Sequence, residues 1–251
     1  MNRTAKHARF SPPRFFPLII LVLVGSWLTV APNVLADEPW KDKAPAEWSP
    51  ADVRRILDKS PWSGTTFIEA HWVKPGSDGP VIATQIGKDP PTRRPTEVLD
   101  REKPVRHYAI RWFSSHTIRE AMQIDRGRLP RVPGSVSRAL FDPGDDSILL
   151  VIQGDDMTPF RNTSEEALKG ESWLRPRKTG KKVAPLRVQI VETGRNAPGV
   201  VLFYFPRRDE NGEPLIEPGE RQVDFQSQAW QATFTMKFEP RKMVNKQGSD
   251  F

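Results

Sequence analysis

The chain has 251 residues, a formal charge of +7 and no cysteine. Lacking cysteine, it has no disulfide and no thiol to carry a lipid anchor, so stability has to come from burial. Four of its cations, Arg3, Lys6, Arg9 and Arg14, sit in the first 16 residues. Without them the balance is 34 basic against 31 acidic residues, or +3. That is too small an excess to argue for a nucleic-acid or other polyanionic partner.

Met1 to Phe16 is basic and carries no acid, Pro17 to Ala31 is apolar, and Val34-Leu-Ala36 places small residues ahead of Asp37. That is the layout of a cleaved secretory signal peptide over 1–36, with an uncleaved membrane anchor as the alternative. A full span needs about 20 apolar residues, and Gly25, Ser26, Pro32 and Asn33 shorten this one. No Arg-Arg pair precedes the apolar run, which favours the general secretory route. Export of a cysteine-free chain points to the periplasm or the extracellular space of a bacterium.

Residues 37–64 read as an N-terminal arm with one short helix. Trp40 and Trp48 are the large apolar groups of an otherwise polar stretch. Ser49 suits an N-cap and Pro50 the first helical position, and Val53, Ile56 and Leu57 share a face. Thr65 to Val73 alternates as a strand, Pro75-Gly-Ser-Asp-Gly79 is turn chemistry, and Val81 to Ile86 returns. Val105 to Phe113 is a further strand with Tyr108, Ile110 and Trp112 on one side. Thr117-Ile-Arg-Glu120 has capping-box spacing and opens a helix that Gly127 ends. Leu129 to Asp146 reads as irregular. Ser147 to Gln153 is a short apolar strand, Thr163-Ser-Glu-Glu166 opens a brief helix, and Ser172 to Arg177 is a strand before the basic turn Arg175–Lys182.

Ala184 to Glu239 holds the clearest pattern. Gly199-Val-Val-Leu-Phe-Tyr-Phe-Pro206 is an unbroken apolar run, as expected of a strand buried on both faces. Around it, Leu186, Val188 and Ile190, then Val223 and Phe225, then Phe234, Met236 and Phe238 alternate with polar residues. Short turn-rich connections imply an antiparallel meander. The fold class is mainly β: an antiparallel β-sandwich, immunoglobulin-like in general architecture, with two or three short helices over 65–241. The alternative is α+β, with a helix packed on an antiparallel sheet. Residues 242–251 show no pattern and read as a flexible tail.

Chemistry is sparse. His71, His107 and His116 lack metal-ligand spacing, so no metal and no cofactor is implied. Glu69 and His71 point to one side of their strand, His107 and Arg111 to one side of theirs. If the two strands are neighbours, these four form a polar patch, the candidate binding site. Ser114-Ser-His116 has the residue types of a nucleophile and base, but lies where a helix cap is expected. Asp142, Asp145, Asp146, Asp155 and Asp156 bracket one strand without forming a twelve-residue calcium loop. Seven tryptophans follow the leader, of which Trp40, Trp48 and Trp62 are the freest to stack on sugars.

Arg111-Trp-Phe-Ser-Ser-His-Thr-Ile-Arg-Glu-Ala121, Phe203-Tyr-Phe-Pro-Arg207 and Lys237-Phe-Glu-Pro-Arg-Lys-Met243 together resemble an uncharacterised family of secreted bacterial proteins. The resemblance implies the compartment and carries no activity. Taken together, the chain is expected to be an exported, non-enzymatic domain that binds a protein or cell-envelope component. The alternatives are a hydrolase acting on an envelope or extracellular polymer, and a carbohydrate-binding module.

Overall fold

The computed structural model describes residues 38–69, 105–128, 132–142, 144, 146–192 and 199–251. The leader at 1–36, His71, Trp72 and the return over 81–86 lie outside them. Eight main strands form: β1 (Ser63–Glu69), β2 (Val105–Trp112), β3 (Ser147–Gly154), β4 (Ser172–Pro176), β5 (Arg187–Val191), β6 (Val200–Pro206), β7 (Val223–Ala229) and β8 (Ala232–Phe238). A short ribbon, β9 (Val244–Asn245) with β10 (Gly248–Ser249), follows. One sheet runs β1-β2-β3-β6-β5 and the other β4-β7-β8, with every pairing antiparallel. The helices are α1 (Pro39–Asp42), α2 (Pro50–Lys59), α3 (His116–Ile124), α4 (Gly134–Phe141), α5 (Thr158–Arg161) and α6 (Glu165–Gly170). Among the described residues no helix is long and apolar enough to cross a membrane.

The two sheets face each other as a sandwich, and aromatic rings fill the gap. Tyr108 meets Phe234 edge-on at 4.8 Å between centroids, Trp112 meets Phe238 at 5.0 Å, and Phe203 meets Phe225 at 5.4 Å. Phe160, from α5, stacks on Phe234 at 4.6 Å. Such pairs add about 0.5–1.5 kcal/mol each beyond the area they bury. The alternation in β8 holds at its ends: Phe234 and Phe238 are buried and Met236 half-buried, while Thr233, Thr235 and Lys237 are exposed. The outer face of the three-stranded sheet is therefore wet. The five-stranded sheet is different. Leu149 and Val151 of β3, and Val200 and Leu202 of β6, are buried on the face turned away from the sandwich. Both strands are apolar throughout because both their faces are covered.

Several expectations are corrected. The meander is split: β5 and β6 join the large sheet, while β7 and β8 pair in the small one. Leu186, read as a core residue, is exposed, because it precedes the edge strand β5. Residues 134–141 form α4 rather than irregular chain, with Val136 and Leu140 one turn apart and buried. Trp40 and Trp48 are buried and the Trp48 indole donates to the Pro39 carbonyl, so the arm is part of the core. The boundary expected at 65 falls inside β1, and Glu38–Phe251 is one compact unit.

Another concerns the tail. Residues 242–251 are held rather than loose. The Asp250 carboxylate accepts from Ser115 Oγ at 2.7 Å, His116 N at 2.6 Å and Thr117 N at 3.0 Å. These are the first groups of α3, whose leading N–H groups have no intrahelical acceptor. A distant carboxylate supplies one, and its charge suits the positive end of the helix. That end is capped by Ser115, whose hydroxyl accepts from Ile118 N, and not by Thr117.

Candidate functional site

The site is built on the face of β1, β2 and β3 that is turned away from the sandwich. Register places three cross-strand rows there: Phe67 beside His107, then Thr65 beside Ala109 and Gln153, then Ser63 beside Arg111 and Val151. The middle row is small at Thr65 and Ala109, so the sheet is low between a bulky row and a charged one. The result is an open trough of about 830 Å³. Asp58 and Lys59, at the end of α2, and Arg128, in a 3-10 turn over Arg126–Arg128, also line it.

Arg111 organises the charged end. It is only 4% exposed. The end of α2 leaves carbonyls without intrahelical donors. Ser60 and Ser63 hydroxyls both donate to the Ile56 carbonyl, and Arg111 Nε donates to that of Leu57 at 2.9 Å. A cation is favoured there by the helix dipole. Arg111 Nη1 donates to Gln153 Oε1 at 3.2 Å, and the Gln153 amide in turn donates to the Arg128 carbonyl. Asp58 stands 3.6 Å from Arg111 Nη2, beyond hydrogen-bond reach, because it is hydrogen-bonded to Arg128. Arg128 also pairs with Asp125. Burial pulls the Arg111 guanidinium down to about 10 and the charge of Arg128 adds to the effect, against the attraction of Asp58. It stays charged at neutral pH.

The other end is aromatic. Phe67 is 63% exposed and meets the His107 ring edge-on at 5.0 Å. Exposing so much of a phenyl ring forgoes part of the roughly 1.5–3 kcal/mol its burial would return. His107 makes no hydrogen bond to a carboxylate among the described residues. Asp155 lies on the same rim, its amide donating to the His107 carbonyl.

Of the four residues expected to form a patch, β1 and β2 being neighbours brings His107 and Arg111 to one trough. Glu69 pairs with Val105 at the end of the ladder, and His71 lies outside the described residues. Phe67, Asp58, Arg128 and Gln153 were not singled out. Two of them carried a signal: Phe67 is a large aromatic at a polar-face position, and Asp58 is an acid at the end of a helix where the dipole disfavours it.

The remaining candidates resolve into structural roles. The Ser114 hydroxyl accepts from Leu149 N, and Ser115 caps α3 while donating to the Asp250 carboxylate, so neither is hydrogen-bonded to a histidine among the described residues. His116 pairs with Glu120 one turn on. Asp156 caps Thr158 N and faces Arg106. No cluster of three or more His, Asp or Glu able to hold a metal forms among the described residues. Trp40, Trp48, Trp62 and Trp112 are buried, and the Trp173 ring is approached by Arg175 and Lys182. The basic turn is largely neutralised, Arg175 by Asp224, Lys178 by Glu217 and Lys181 by Glu210. Comparison with protein-family models, with curated proteins and with solved structures gives no match.

Proposed function

We propose that the protein is an exported, non-enzymatic binding domain that engages a protein or cell-envelope component through the trough over β1, β2 and β3. The observation that carries this is Phe67: a ring left 63% exposed beside a concave surface whose far end holds a buried cation. Concave sites that combine apolar surface with a few placed polar groups are where ligands bind. The basic-then-apolar leader and its small-residue end support export. Burial of four tryptophans favours this reading over a sugar-stacking module.

The test is to replace Phe67→Glu in the producing cells and follow chemically crosslinked species of the exported protein. Thr235→Glu, on the wet face of the other sheet, is the control. The reading expects the wild type and the control to give the same crosslinked species and Phe67→Glu to lose it. A species that survives Phe67→Glu, or turnover of a polymer substrate by the purified protein, would overturn it.

A further inference from the structure

We infer that the occupant of this trough is an extended acidic peptide, with a carboxylate seated on Arg111 and an apolar side chain, about four residues away, on Phe67. This rests on the trough being the binding surface and adds the chemistry of what it holds.

Arg111 has five N–H donors in a fixed fork. Among the described residues two are engaged, Nε by Leu57 and one Nη1 hydrogen by Gln153. The Nη2 group has Asp58 near it, but that carboxylate is committed to Arg128. The guanidinium's second Nη1 hydrogen and its Nη2 group, which Asp58 faces at 3.6 Å without a hydrogen bond, are left to meet a carboxylate through two parallel N–H···O bonds. Its desolvation, evident from its burial, raises what such a pair is worth.

The apolar end gives the spacing. His107, paired with Phe67, is four residues from Arg111 along β2. At about 3.4 Å per residue that separates the two ends by about 14 Å. No single amino acid or small acid bridges them. An extended polypeptide does, because residues four apart lie on one face at that distance. The floor between them, Thr65 and Ala109, leaves room for the intervening side chains. Each end carries one acid, Asp155 at the aromatic rim and Asp58 at the other, but Lys59, Arg111 and Arg128 gather at the second end and make it the carboxylate's seat. A uronic-acid oligosaccharide is disfavoured because no exposed tryptophan flanks the trough among the described residues.

The test uses the whole exported chain and blocked pentapeptides with Leu at one end, Glu at the other and Ser or Thr between, in both orders. The same peptides with Gln for Glu are the controls. Titration by NMR or calorimetry should show the better Glu peptide binding at least about ten-fold tighter than its Gln counterpart. Arg111→Lys keeps the charge and loses the fork, and should erase most of that ratio. Because Arg111 also holds the end of α2, Phe67→Ala serves as the variant at an exposed position, and should weaken Glu and Gln peptides alike. Equal binding of Glu and Gln peptides, or a ratio unchanged in Arg111→Lys, overturns the inference. So does preferential binding of oligogalacturonate at the same residues. If no peptide binds while Phe67→Glu still abolishes the crosslinked species, the surface stands and the peptide assignment fails.

Discussion

Removing the Asp250 carboxylate is the sharpest test of how the chain closes. Asp250→Ala leaves Ser115 Oγ, His116 N and Thr117 N without their acceptor, at a residue that is 9% exposed. An unmet buried donor costs about 1–3 kcal/mol, and charge-assisted bonds lie at the upper end. Water reaching the partly exposed side recovers some of this, so the loss should be about 3–5 kcal/mol. For a domain of this size each kcal/mol moves Tm by about 2–4 °C, which makes the expected drop about 10 °C. Asp250→Asn keeps one acceptor and should lose roughly half as much. Thermal melts by circular dichroism at neutral pH and low salt read both. A change below about 2 °C in Asp250→Ala would refute the argument that the last residues cap α3.

Phe234 touches both Tyr108 and Phe160, so Phe234→Ala should cost about 3–5 kcal/mol. Urea denaturation would register that as a lower midpoint at unchanged slope. Asp52 is held below the usual aspartate range, chiefly by the hydrogen bond from Lys43 and also by those from Ser49, with burial opposing. A lowered folded-state value means its contribution is present above the ordinary aspartate pKa of about 4 and lost as pH falls through the lower value. The Tm difference between wild type and Asp52→Asn should therefore be flat from neutrality to about pH 5 and shrink below about pH 4. A difference that grows on acidification would contradict the sign.

Much of the sandwich was legible because burial imposes a period. Val223, Phe225, Phe234 and Phe238 alternate since one side of β7 and β8 faces the other sheet, and 200–205 does not alternate since both sides of β6 are covered. What stayed hidden depends on partners far along the chain. Nothing local marks Asp250 as the cap of a helix that starts at His116, or Trp40 as core beside Trp62, which it meets edge-on at 5.6 Å. The assignment of β5 and β6 to one sheet and β7 and β8 to the other is equally non-local. At the site, His107 and Arg111 were readable as same-face neighbours on one strand. Arg111 as the clamp on α2 was not, because its Leu57 partner is 54 residues away.

The claim that most depends on all of this is that the trough, and no other face, meets the partner. A photo-crosslinking residue placed in turn at positions 65, 67, 233 and 235 tests it in the producing cells. The account predicts one crosslinked species from 65 and 67 and none from 233 and 235. Crosslinks from the Thr233 and Thr235 face alone, with positions 65 and 67 silent, would contradict it.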